Sequence, residues 1–197
     1  DLVQQSQRQY PDLLAQLEKL SGIDSEHLHS GLLILDAESN DDAMNWATQT
    51  DTQMQLIGQS RIREIAPSIN LESESALWMP EVGQVRNPRL VKALHEALIK
   101  LGVEIHEQCE VLDLEADQQT IRGVKTTKGT ITSQSIAVCC GAWSAKLLAT
   151  LDVAPPIEPV RGQMLLFKAD PKLLNAIILT QGHYAIPRKD GRILFGS

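Results

Sequence analysis

Aromatic residues are scarce in this 197-residue chain, at 4% of positions, and there are only three cysteines, Cys109, Cys139 and Cys140. The cysteines form no CxxC pair and their odd count does not suit a disulfide framework, so a reducing cytoplasm is the expected setting. No apolar run approaches the ~20 residues a helix needs to cross a bilayer. The opening segment DLVQQSQRQYPDLL has neither the basic region nor the apolar core of a secretory leader, so membrane attachment and export are not expected. Clusters of Lys and Arg are missing too. A net charge of -7 without a cationic face opposes nucleic-acid binding.

Most signature motifs are also absent. There is no GxGxxG, P-loop, HExxH or GxSxG, and no Cys/His cluster at metal-ligand spacing. His27, His29, His95, His106 and His183 are scattered. Only His27 and His29 lie two apart, with no carboxylate or cysteine clearly joining them, so no metal site is expected.

What is present is a core-forming composition, 43% hydrophobic, in interleaved helical and strand patterns. Leu2, Leu13, Leu14, Leu17 and Leu20 recur at helical spacing and Ser21-Gly22 follows as a stop. A buried strand is expected at Gly31–Leu35, helices over Asn40–Met54 and Ser60–Ala66, and a strand over Ala76–Met79. Pro88 opens the clearest helix, with Leu90, Val91, Leu94, Ala97, Leu98 and Leu101 on one face and Gly102 as its end.

Val103–Ile105 then alternates as a strand, and a meander is expected at 110–114, 121–125, 129–132 and 135–138, with a polar turn at 117–119. Ala142–Leu151 reads as a helix. Strands are expected at Val160–Phe167, Ala176–Thr180, His183–Pro187 and Arg192–Phe195, the last two joined by a hairpin at Arg188–Gly191. The fold class is mixed α/β in two interwoven lobes. The chain opens inside a helical pattern without Met and stops in mid-strand, so it reads as an internal piece of a longer polypeptide.

The stretch 135–144, SIAVCCGAWS, is an apolar strand, a glycine and a helix start. Ligands gather at the carboxyl ends of strands in open α/β sheets, and a glycine there lets a polar group approach helix-start amides. Cys139 and Cys140 are expected to be buried small hydrophobes.

The ordered set of GQVRNPRLV (83–91), LGVEIH (101–106), IAVCCGAWS (136–144), PVRGQ (159–163) and YAIPRKDGRILFG (184–196) resembles the D-amino-acid oxidase superfamily, with its glycine oxidases the nearest likeness. The resemblance implies a two-domain flavoprotein: a Rossmann-like FAD domain and a substrate domain on a large mixed sheet. Here 84–150 corresponds to part of the FAD domain, and 1–83 with 151–197 to part of the substrate domain.

By that resemblance Val111 binds the adenosine side of FAD through its backbone and Gly141, Ala142 and Trp143 line the flavin's path. Arg161 and Gly162 begin a strand near the isoalloxazine, and Tyr184 helps hold the substrate carboxylate. Each has an ordinary alternative: Tyr184 packing in a sheet, Trp143 anchoring a core, Arg161 forming a strand-end ion pair. Arg188 and Arg192 flank the expected turn and read as solvated.

The implied reaction is oxidation of glycine or another small amine or amino acid to an imine, by hydride transfer to FAD with peroxide formed on reoxidation. In the glycine oxidases of thiamine biosynthesis, that imine feeds the thiazole. A sarcosine-type oxidase, a D-amino-acid dehydrogenase and a catalytically inactive binding module are the alternatives. The family's dinucleotide motif and its carboxylate-pairing arginine would lie outside these residues, so the piece is expected to be inactive alone. A homodimer through exposed sheet edges is expected.

Overall fold

The computed structural model describes residues 2–36, 40–69, 73–117, 120–151 and 153–197. They fall into two compact units, Asp1–Val103 with Gly162–Ser197, and Glu104–Arg161. The divisions lie at 103/104 and 161/162, and the helix that follows residue 84 packs within the first unit.

The first unit opens with α1 (Leu2–Ser21), which buries Leu14 and Leu17. Gly22 ends it at a φ of +76°, its N–H bonded to the Glu18 carbonyl at 2.8 Å. Next come β1 (Leu28–His29), β2 (Leu32–Ile34) and α2 (Asn40–Gln49). The α2 helix is five residues shorter than its pattern predicts. The Thr50 hydroxyl donates to the Trp46 carbonyl at 2.8 Å and Asp51 turns left-handed at a φ of +51°. That stop frees β3 (Gln55–Gly58) to pair with a later strand.

After α3 (Gln59–Ile65), β4 (Ser75–Met79) and β5 (Gly83–Gln84) comes α4 (Asn87–Lys100). Ala93 and Ala97 of α4 meet Leu14 and Leu17 of α1, small residues admitting large ones. Gly102, at a φ of +75°, ends α4, and Val103 bonds back to the Leu98 carbonyl at 3.0 Å. Val103 therefore completes a helix cap, and the strand expected at 103–105 does not form.

The second unit holds the antiparallel meander β6 (Val111–Asp117), β7 (Thr120–Thr126) and β8 (Gly129–Thr132). Gln118 and Gln119 of the expected turn lie outside the described residues. The fourth strand, 135–138, is not formed, and Cys139 and Cys140 are exposed rather than buried. No described strand pairs with this run, and an apolar run becomes a buried strand only when its backbone groups have partners. A single 3-10 turn at Gly141–Trp143 leads into α5 (Ser144–Leu148) and a last 3-10 turn, so the expected 142–151 helix is broken.

The chain then returns to the first unit with β9 (Met164–Lys168), β10 (Ile177–Thr180), β11 (His183–Pro187) and β12 (Arg192–Gly196). The β9 strand begins only at Met164, where pairing with Gly196 begins, and not at Val160. A seven-stranded mixed sheet runs in the order β3-β4-β2-β10-β11-β12-β9, with β2 and β10 its one parallel pair.

On one face Leu33, Ile57, Ala76 and Ile178 pack with Ile62, Ile65 and Ala66 to form the main core. Leu33 and Ile62 are fully buried, each worth roughly 2 kcal/mol in transfer energy. Gly31 makes the approach to β2 possible. It holds a φ of +68°, and a Cβ there would lie 2.0 Å from the ring of Trp78.

Candidate functional site

Period-two alternation along each strand decides what the other sheet face carries. Paired residues place Leu56, Leu77, Ile34, Leu179, Tyr184, Gly196 and Met164 in one row across all seven strands. The row is buried at Leu77, half-buried at Ile34, Leu179 and Tyr184, and exposed at Met164. Tyr184 is its only member with a polar side chain, and among the described residues its hydroxyl has no hydrogen-bond partner. The ring lies directly over Gly196. A half-buried phenol free to donate and accept, on an otherwise apolar platform, is suited to orienting a small polar ligand.

The hairpin carrying Tyr184 is fixed at its turn. Arg188 Nη1 donates to Gln84 Oε1 at 2.9 Å and to the Val85 carbonyl at 3.0 Å, and Gln84 Nε2 donates to Ser30 Oγ at 3.0 Å. Arg188 is thus half-buried and bonded, not solvated as its place beside a turn suggests, because Gln84 comes from a distant segment. Burial lowers its pKa, the Arg86 charge adds to that, and Glu26 and Asp190 partly offset it. Arg192 does remain at the surface, paired with Asp190.

Arg86 bridges both Glu26 oxygens at 3.2 Å and Asp190 Oδ2 at 2.9 Å, and these bonds raise its pKa. Lys189 pairs with Asp24 at 3.3 Å. Asp24 is held below the usual carboxylate range, first by the Glu26 backbone N–H and then by Lys189.

In the second unit Gly141 adopts a φ of +54° with nothing within 4 Å of where its Cβ would be. Trp143 is 66% exposed, which corrects any reading of it as a core anchor: no described side chains enclose the 3-10 turn. The α5 helix, directly after this turn, touches β6, the strand that carries Val111. As an edge strand, β6 has backbone N–H and C=O groups facing away from β7. An open glycine turn and a free strand edge fit a cofactor held largely through backbone contacts. Arg161 ends this unit with its side chain exposed, and Gly162 begins the returning part of the first.

Two clefts open elsewhere in the first unit, of about 630 and 410 Å³, sharing Gln7, His29 and Glu81. Tyr184 lines neither. The His27 and His29 rings meet edge to face at 4.6 Å, and burial followed by the neighbouring ring lowers the His27 pKa. No group of three or more metal-ligating side chains forms among the described residues. No helix among them is long and apolar enough to cross a membrane.

Sequence reasoning missed Gly196, Arg188 and Gln84. The pattern ends the last strand at Phe195, and only the observed strand takes in Gly196, where a glycine marks close approach of another group.

The family profile described as FAD dependent oxidoreductase, of the D-amino-acid oxidase type, matches residues 1–197. Glycine oxidase from Pseudomonas putida is 37% identical over 193 residues, covering 98% of this chain and 53% of that protein. The chain thus spans about half the length of the curated relative it matches. The crystal structure of glycine oxidase from Geobacillus kaustophilus superposes with a TM-score of 0.90 at 26% identity, over 100% of this chain and 55% of that one. L-proline dehydrogenase from P. horikoshii shares the fold, with a TM-score of 0.79 at 20% identity over 96% of this chain and 53% of that one. With the large mixed sheet, the open glycine turn and a match along its whole length, the chain belongs to the FAD-dependent oxidoreductase family of the D-amino-acid oxidase type.

Proposed function

We propose that this polypeptide supplies the substrate-facing sheet and part of the flavin-binding unit of an oxidase acting on glycine or another small amine or amino acid. The observation that carries the reading is Tyr184, a half-buried phenol with a free hydroxyl on an apolar platform, in a chain 37% identical to a glycine oxidase.

FAD held at these contacts would supply the hydride acceptor for oxidation of the substrate amine to an imine, which water would hydrolyse, with oxygen taking up the electrons as peroxide. The residues here orient and exclude. The Tyr184 hydroxyl donates to the substrate carboxylate, and Leu179, Ile34 and Leu77 keep water from its side of the site. The Val111 backbone, the turn of Gly141, Ala142 and Trp143, and Arg161 with Gly162 are the contacts assigned to FAD.

In this reading 84–150 is the flavin-domain share, and 1–83 with 151–197 the substrate-domain share. Because about half of the relatives' length lies beyond the match, the isolated 197 residues are expected to hold FAD weakly and to lack turnover.

The test is visible absorbance after desalting, on the full-length product and on this segment, followed by oxygen uptake with glycine, sarcosine and D-alanine. A retained flavin spectrum and glycine-dependent uptake in the full-length protein support the reading. A flavin spectrum without uptake redirects it to a dehydrogenase, and no flavin in either sinks it.

A further inference from the structure

Gly196 occupies a strand, where glycine weakens pairing and leaves nothing to pack. Its backbone is not in the left-handed region that requires glycine, and it lies in no turn. The reason for glycine is therefore space. Tyr184 is its direct cross-strand partner, and a Cβ on Gly196 would stand 2.6 Å from Tyr184 Oη, 2.7 Å from Cζ and 3.0 Å from Cε2. Relaxed contact needs roughly 3.5 Å, so even one methyl group displaces the hydroxyl by about 1 Å. Leu179 is the cross-strand partner of Tyr184 on β10, so it stands next to Tyr184 in the same row on the side away from Gly196.

We propose that Gly196 is a positioning residue for substrate binding: its missing side chain makes the seat that fixes where the Tyr184 hydroxyl stands. This inference rests on the substrate role proposed for Tyr184. A ring laid across a strand glycine also stabilises a sheet by itself. That purely structural role would lower the melting temperature and leave substrate affinity alone. Positioning predicts a loss of affinity that vanishes once the hydroxyl is gone.

The experiment uses the full-length flavoprotein as wild type, Gly196→Ala, Tyr184→Phe and the double variant. KM and kcat for glycine are measured, with the Kd for acetate read from flavin absorbance. Acetate carries the carboxylate but has no amine to oxidise. Gly196→Ala is expected to raise both KM and the acetate Kd on the order of tenfold with kcat changed far less, since misplacement of about 1 Å is costly. Tyr184→Phe should do the same, and the double variant should be no worse than Tyr184→Phe alone.

Wild-type affinity in Gly196→Ala, or losses that multiply in the double variant, would overturn the proposal while leaving Tyr184 in place. Unchanged affinity in Tyr184→Phe would instead remove the substrate role of Tyr184, and this inference with it. If Gly196→Ala alone does not fold, Leu179→Ala is combined with it to give the displaced ring room. Wild-type affinity in that pair, measured against Leu179→Ala alone, overturns the proposal equally.

Discussion

Arg188 holds a half-buried guanidinium against two acceptors of another segment, Gln84 Oε1 and the Val85 carbonyl. Gln84 is itself buried, so removing the donor strands a polar group where water does not easily replace it. Arg188→Met keeps the apolar stem and removes the fork. It is expected to cost about 2 kcal/mol, read as a lower urea midpoint at unchanged slope. A change within error would mean that solvent already satisfies Gln84.

Nothing in the residues flanking Arg188 announces this role, because its partners lie 103 and 104 positions away. The exposure of Cys139, Cys140 and Trp143 was equally hidden. Apolar character suggests burial, but burial needs a neighbour, and no described residue supplies one.

At the scale of elements, the β11–β12 hairpin was legible because its turn chemistry is local. Gly191 takes a φ of +78°, its N–H bonds to the Arg188 carbonyl at 3.0 Å, and Asp190 accepts from the Arg192 backbone at 3.2 Å. Burial alone would raise the Asp190 carboxyl, but hydrogen bonds from Arg192 and Arg86 outweigh it and hold the group below its ordinary value. A carboxylate whose pKa is lower in the folded state contributes stability that is present above its unfolded value of about 3.9 and is lost as pH falls through the folded value. Wild type should therefore lose stability below about pH 4 more steeply than Asp190→Asn, in urea midpoints taken from pH 6 to pH 3. Parallel curves would show that the ion pairs are screened away.

The elements that misled were those whose pattern requires a partner. Residues 103–105 and 135–138 alternate or run apolar as strands do, yet the first closes a helix cap and the second has no described strand beside it. The α4 helix shows the same dependence. Its apolar arc is wider than α1 covers, leaving Val91, Leu94 and Leu98 exposed.

Across the whole molecule, burial is uneven. Among the described residues, Leu114 is the only buried apolar side chain of the second unit, against fifteen in the first. Local opening costs least where few side chains are buried. Backbone amides of β6 to β8 should therefore exchange with deuterium well before those of β2 and β10 in the middle of the seven-stranded sheet. Equal protection in mass-resolved exchange would mean that the two units open as one.

The sequence by itself determined the mixed α/β class, the helices that open and close the first half, the closing hairpin and, through its ordered motifs, the family. These follow from backbone periodicity and turn chemistry, which act over a few residues. Only the tertiary structure decided that Tyr184 shares a row with Leu179 and Gly196, that Arg188 reaches Gln84, and that the strand expected at 135–138 has no partner among the described residues. Those outcomes depend on strand register and on contacts between distant segments, which set what faces each side chain, and local pattern carries no record of that.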